Sequence, residues 1–88
     1  MIYKVRTSVD NKEKAELITK AMISTHAAIS VHITEVSSIY AWDNSIYDLI
    51  EYEINALTTI PTNVKYIIDT YSHYALPEFI YEEINCSK

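Results

Sequence analysis

Residues 29–42, Ile-Ser-Val-His-Ile-Thr-Glu-Val-Ser-Ser-Ile-Tyr-Ala-Trp, decide the fold because they alternate as a strand over an unusual length. The apolar side chains occupy odd positions up to Ile33 and even positions from Val36 onward. Since side chains in a strand alternate strictly between two faces, this change of parity predicts a one-residue bulge at Thr34-Glu35. A strand of about fourteen residues is long for a small domain, so we expect half of it to pair outside its own sheet.

The residues before this strand predict a strand and a helix. Residues 2–7 alternate as a short strand. Asp10 followed three places on by Glu13 is a capping-box pattern, with Asp in place of the usual Ser or Thr. Apolar residues then recur at three- and four-residue spacing, which predicts an amphipathic helix over about residues 11–25.

The residues after the long strand predict a turn and three more elements. Asp43-Asn44-Ser45 is a tight turn without glycine, with Asn44 in the left-handed position. A third strand follows up to residue 59, and Pro61 precedes a second helix with an i, i+3, i+4, i+7 apolar stripe. Residues 78–85 alternate again and predict a fourth strand.

The order of elements predicts the fold class. Strand, helix, strand, strand, helix, strand with right-handed crossovers gives a four-stranded antiparallel sheet with both helices on one face. We therefore expect one α+β domain over residues 1–88, a ferredoxin-like βαββαβ sandwich. That fold hosts many functions and by itself names none.

Composition excludes several classes of function. The 88 residues carry seven Lys and Arg against twelve Asp and Glu, a net charge of −5. An acidic chain without a basic cluster lacks the footprint of a nucleic-acid-binding protein. The absence of glycine excludes glycine-rich phosphate loops and leaves positive-φ turns to Asn, Asp or another tolerant residue. The single cysteine, Cys86, allows neither an internal disulfide nor a CxxC metal site.

The same sequence gives an expectation about location. The longest uncharged, mostly apolar run, residues 21–34, is too short to span a bilayer. The first residues also lack the apolar stretch and cleavage site of a signal peptide. We therefore expect a cytoplasmic protein that does not associate with membranes.

Candidate chemistry is sparse. No serine or cysteine stands in a nucleophile–base arrangement, so we expect no enzymatic activity. His26 follows the first helix and His32 lies on the solvent side of the long strand, which favours surface or capping roles. His73 lies five residues before Glu78, and this pair could hold copper or zinc if another subunit supplied a third ligand.

Aromatic residues define a second candidate site. Tyr40 and Trp42 share one face of the far half of the long strand, while Tyr74 and Pro77 lie in the loop before the fourth strand. One interpretation is aromatic packing in a core or an interface. The other is a cleft at a subunit boundary that takes a small ligand, and the two interpretations are compatible.

Two motifs carry a resemblance to a known family. Residues 38–44, Ser-Ile-Tyr-Ala-Trp-Asp-Asn, look like the S-[IV]-Y-x-W-[EK]-G segment of the CutA family of divalent-cation-tolerance proteins. Residues 74–80, Tyr-Ala-Leu-Pro-Glu-Phe-Ile, resemble that family's Y-E-x-P-E-I-I stretch. Ala27-Ala28 stands where the family has its A-A-C-V-N run, and Thr58 matches the end of its I-K-T strand. The resemblance covers about residues 5–84.

The resemblance implies a ferredoxin-like homotrimer whose long strands pair between subunits. It also implies a role in tolerance to divalent cations, copper especially, without a settled enzymatic activity. It places Tyr40, Trp42, Tyr74, Pro77 and Glu78 at an inter-subunit cleft, with His73 and Glu78 as metal candidates.

Departures from the family concern mainly the metal chemistry. Some members carry a cysteine proposed to bind copper where this chain has Arg6, and a positive charge there would oppose a nearby cation. The family's His-Pro-Tyr-Glu becomes Ser72-His73-Tyr74-Ala75, which displaces the histidine by one position. Its cysteine, Pro-Gly bend, turn glycine and lysine are replaced by Ile29, Thr34-Glu35, Asn44 and Leu57.

Three functions follow as hypotheses. The leading one is a CutA-like, non-enzymatic homotrimer that binds copper or another divalent cation. The second is a small-molecule-sensing regulatory trimer similar to PII proteins, although Asp43-Asn44-Ser45 is too short for the long loop that those proteins use. The third is a structural interaction protein that has lost metal binding.

Overall fold

The chain forms six elements in the predicted order, in a computed structural model that describes residues 1–71 and 80–84. The elements are β1 (Ile2–Val9), α1 (Lys12–Ser24), β2 (Ser30–Trp42), β3 (Ser45–Thr58), α2 (Pro61–Tyr71) and β4 (Ile80–Ile84). All the strand pairs are antiparallel, and the strand order is β2-β3-β1-β4. This confirms the α+β, ferredoxin-like prediction.

Both helices pack on one face of the sheet because that face carries the buried side chains of the central strands. Since directly paired residues lie on the same face, the pairs Val5–Ala56 and Thr7–Ile54 place alternate residues of β1 and β3 toward the helices. The helices contribute every third or fourth residue, as the sequence predicted. The fully buried side chains of this core include Val5, Val9, Ile18, Met22, Ile54, Val64 and Ile68.

The N-terminus of α1 differs by one residue from the prediction. The cap is Asn11, whose side-chain oxygen accepts a hydrogen bond from the Lys14 backbone N–H at 2.7 Å. Asp10, the predicted cap, instead pairs with the Lys14 ammonium at 3.2 Å. Asn and Asp cap helices about equally well, so the sequence alone did not decide between neighbouring positions.

The C-terminus of α1 closes without glycine. Thr25 is the C-cap, and His26 follows in the left-handed region with φ 60°. The N–H of His26 donates to the Ile23 carbonyl, and the N–H of Ala27 donates to the Met22 carbonyl. His26 thus fills the position that glycine usually takes after a helix.

The predicted bulge at Thr34-Glu35 is wrong. β2 and β3 pair continuously from Ser30–Leu57 to Trp42–Ser45 without a change of register. The change of parity has a different cause. The helices cover the face of β2 that carries Val31 and Ile33, whereas beyond Glu35 the opposite face carries the aromatic side chains.

The other boundaries agree closely with the sequence. β1 continues two residues past its predicted end, to Val9, because Val9 is buried in the core. α2 begins at Pro61 itself, whereas Pro61 was predicted to lie just before the helix. The described part of the fourth strand, Ile80–Ile84, lies within the predicted residues 78–85, and the rest of that range lies outside the described residues.

The end of β3 is fixed to the end of α1 by a buried hydroxyl. Thr58 is fully buried, and its Oγ1 donates to the Ala27 carbonyl. The same oxygen accepts a hydrogen bond from the Ile60 N–H at 2.9 Å. One side chain therefore connects the loop after α1 to the loop before α2.

Candidate functional site

The β2–β3 hairpin extends beyond the domain as a two-stranded arm, which we define as residues 36–51. Pairing between β1 and β3 ends at Val9–Tyr52, so among the described residues the arm's strands pair only with each other. At about 3.3 Å per residue, the arm extends roughly 25 Å past the sheet. Every residue from 39 to 50 is exposed.

One face of the arm carries Tyr40 and Trp42, the two described residues of the predicted cleft. Tyr40 lies opposite Tyr47 in the register, and their rings stack with centroids 5.4 Å apart. Leu49 lies on this face too, opposite Ser38. Trp42 is 71% exposed at the end of the strand.

The stack is held in register by a polar contact at the base of the arm. The Ser38 hydroxyl donates to a carboxylate oxygen of Glu51 at 2.6 Å. This hydrogen bond is partly buried and links the two strands, so it supports the register that the turn sets. The aromatic face is therefore an ordered surface rather than a loose pair of strands.

The opposite face of the arm, on the helix side of the sheet, is also apolar. Ile39 and Ile46 are 71% and 79% exposed, and Ile50 lies beside them at 55%. No helix reaches this part of the hairpin within the described residues, since the buried residues of both helices pack against the core below Tyr52. A two-stranded hairpin with apolar residues on both faces is unstable in water on its own and marks an interaction surface.

The arm ends in a tight turn. Asp43 and Asn44 both adopt positive φ, at 51° and 64°, and Ser45 begins β3. The φ value of Asn44 confirms the prediction of a left-handed conformation there. Asp43 adopts this conformation too, which was not predicted. Two residues with positive φ are typical of a type I′ hairpin turn, whose twist matches the strands. The connection between β2 and β3 is thus two residues and not a long loop.

The predicted metal pair cannot be placed by the structure. His73 and Glu78 lie outside the described residues, as do Tyr74 and Pro77 of the predicted cleft. Within residues 1–71 and 80–84, no group of three or more His, Cys, Asp or Glu side chains could hold a metal ion. His26 serves the α1 C-terminus and His32 is exposed on β2.

Sequence reasoning missed Tyr47 and Leu49 as partners of Tyr40 and Trp42. Alternation along β3 puts Tyr47 and Leu49 on one face of that strand, but it does not say which face of β2 they join. Counting outward from the turn at Asp43-Asn44 would have paired Tyr40 with Tyr47.

In the part of the chain that the structure describes, no helix is long and apolar enough to cross a membrane.

Comparison with solved structures shows that the fold is shared with proteins of one family. The chain superposes on the "Divalent cation tolerance protein (Cut A1)" of Thermus thermophilus with a TM-score of 0.85 and 25% identity, over 100% of this chain and 88% of that one. It superposes on CutA1 of Shewanella sp. SIB1 with a TM-score of 0.85 and 28% identity, over 99% and 84%.

A third solved structure shares the same fold. The "PII-like protein CutA" of Nostoc sp. PCC 7120 matches with a TM-score of 0.81 and 24% identity, over 94% of this chain and 81% of that one. A comparison with curated protein sequences finds no match.

The sequence itself also fits a family profile. The profile described as "CutA1 divalent ion tolerance protein" matches residues 3–88, nearly the whole chain. On this match and the shared fold, the chain belongs to the CutA1 divalent ion tolerance family.

Proposed function

We propose that this chain is a non-enzymatic, cytoplasmic divalent-cation tolerance protein that acts as a homotrimer. The single observation that supports a homotrimer is that the arm exposes apolar side chains on both of its faces. Membership of the CutA1 family supports the role in cation tolerance.

The arm favours a partner that covers both faces at once. Tyr40, Trp42 and Leu49 face one way, while Ile39 and Ile46 face the other. In a closed ring of identical subunits, each arm can pack between neighbouring subunits. Both of its apolar faces are then buried. Among the described strands, the outer edge of β2 is also unpaired in the single chain, which leaves backbone groups for pairing with another subunit.

The proposed ligand site lies where the arm of one subunit meets another subunit. Tyr40 and Trp42 contribute an aromatic wall from the arm, and Tyr74, Pro77 and Glu78 complete the cleft. Copper or another divalent cation binds to His73 and Glu78, with a third ligand from the neighbouring subunit. A histidine and a carboxylate suit a borderline metal, and two ligands from one chain make a weak site without the third.

Copper titration tests the metal part of this proposal. We expect micromolar or tighter copper binding by the wild-type protein and its loss in His73→Ala, because His73 supplies the nitrogen ligand. His26→Ala is the matched control, since His26 serves a helix end, and this variant should bind copper as the wild type does. Binding that persists in His73→Ala would contradict the site, and an absence of binding would favour a structural interaction protein.

The regulatory alternative rests on a different observation. The Nostoc protein is described as PII-like. In this chain the β2–β3 connection is the two-residue turn at Asp43-Asn44, so a small-molecule sensor would have to work without a long loop there. Saturable binding of a nucleotide to the trimer would favour this alternative.

A further inference from the structure

The β2–β3 hairpin, residues 30–58, carries the whole net charge of the chain. It holds five of the twelve Asp and Glu residues and no Lys or Arg. The seven Asp and Glu elsewhere match the seven Lys and Arg, so the rest of the chain is neutral and the hairpin accounts for the net charge of −5. The acidic residues of the hairpin are Glu35, Asp43, Asp48, Glu51 and Glu53.

These carboxylates lie on both faces of the hairpin and at its tip. The register places Glu51 and Glu53 on the face that carries the aromatic side chains. It places Glu35 and Asp48 on the opposite face, on the helix side of the sheet, and both of these residues are exposed. Asp43 lies in the turn. Both apolar faces of the arm are therefore bordered by carboxylates.

Basic side chains of the neighbouring strand lie at the other end of the sheet, beside carboxylates of their own. Lys4 of β1 lies directly opposite Glu82 of β4. Arg6 lies diagonally across from Glu53 on the same face of the sheet. Pairing between β1 and β3 ends before the arm begins. Among the described strands, no Lys or Arg therefore lies alongside the arm.

The exposed apolar surface of the chain is concentrated in the same hairpin. Of the thirteen large hydrophobic residues exposed within residues 1–71 and 80–84, seven lie in the arm. The other six are spread over the N-terminus, both helices and the loops. When copies of the chain associate to bury apolar surface, the arm of one copy therefore finds its largest apolar partner in the arm of another. Such contact brings the carboxylates of different hairpins close together.

We propose that the charge on the hairpins opposes assembly, so that ionic strength regulates how tightly the copies associate. This regulation acts on the proposed homotrimer and rests on it. Exposed charges repel over about 30 Å at 0.01 M ionic strength and over about 10 Å at 0.1 M. Burial of the apolar faces supplies attraction at every salt concentration, whereas the repulsion fades as salt rises. The assembly therefore tightens with increasing salt.

Sedimentation equilibrium of the full chain at two concentrations of sodium chloride tests the proposal. We expect the association constant for three subunits to rise about tenfold or more between about 20 mM and about 200 mM salt, because the hairpin charges are screened. If the wild-type trimer does not dissociate at measurable concentrations, Trp42→Ala provides a weakened background in which the same ratio is measured.

Two pairs of substitutions make the test specific. Asp48→Asn combined with Glu35→Gln removes two exposed charges from the hairpin and keeps the shape of the side chains. This variant should associate several-fold more tightly than the wild type at about 20 mM salt and respond less to added salt. Glu13→Gln combined with Glu16→Gln removes two exposed charges from α1 instead. This control should stay within about twofold of the wild type at both salt concentrations.

Three outcomes would overturn the proposal and leave the homotrimer standing. Association that weakens as salt rises would show that the hairpin carboxylates meet basic groups of a neighbouring copy. A trimer whose association constant does not change with salt would show that the hairpins lie too far apart to repel. Equal effects of the hairpin and α1 substitutions would show that the position of the charge does not matter. A chain that stays monomeric at both salt concentrations would contradict the homotrimer and its regulation together.

Discussion

Replacing Trp42 with alanine should weaken self-association and leave the fold of the domain intact. Trp42 lies at the tip of the arm, paired with Ser45, and the core that holds the helices to the sheet ends at Tyr52. The side chain thus contributes little to the stability of one subunit. In an assembly that covers the arm, its exposed surface becomes buried.

The size of the effect follows from the exposure of the side chain. Trp42 is 71% exposed, which leaves about 140 Å² to be covered, given about 200 Å² for a large aromatic side chain. At about 25 cal/mol per Å², covering this surface contributes about 3 kcal/mol for each arm. A closed trimer covers three arms, so Trp42→Ala should cost about 9 kcal/mol in all and lower the association constant for three subunits by roughly six orders of magnitude.

Sedimentation equilibrium over a concentration series measures this change directly. Tyr66→Ala is the matched control, since Tyr66 is 72% exposed on α2 and lies outside the arm. We expect dissociation at micromolar concentration in Trp42→Ala and an unchanged assembly in Tyr66→Ala. An association constant that is the same in both variants would show that the arm is not the interface.

Two further predictions concern the folding of the subunit. His26→Gly should stabilise the protein by about 1 kcal/mol in urea denaturation at fixed protein concentration, because glycine adopts the left-handed conformation freely; a loss of stability would contradict the helix-closing role of His26. Thr58→Val should cost about 2 kcal/mol in the same assay, because the Ala27 carbonyl and the Ile60 N–H lose their shared partner. Thr58→Ser keeps the hydroxyl and loses only a methyl group, so a cost as large as that of the valine variant would show that the hydrogen bonds contribute nothing.

Most of the fold was predictable because local patterns and topology agree. Alternation located the strands, and the spacing of Val64, Ile67 and Ile68 located the buried stripe of α2. The absence of glycine correctly pointed to polar residues at positive φ. In the structure, positive φ angles occur at His26, Asp43 and Asn44, and only Asn44 was predicted to have one.

The bulge was predicted wrongly because one observation had two physical causes. A change of parity in a strand follows either from an extra residue or from a change in which face is covered. The sequence of β2 alone does not separate the two. The strict pairing of Val36 with Glu51 and of Tyr40 with Tyr47 shows that the second cause applies.

The candidate site was predictable only in part. Tyr40 and Trp42 do share one face of the arm, as alternation required. Their stacking partner Tyr47 depends on the register of the hairpin, which the turn sets.

Native mass spectrometry of the purified protein at micromolar concentration, with and without copper, tests whether the chain is a metal-binding homotrimer. We expect a trimer, and we expect added copper to increase its mass by a stoichiometric amount. A monomer in both conditions would show that the chain is not a homotrimer, because the apolar faces of the arm would then have no partner copy to cover them.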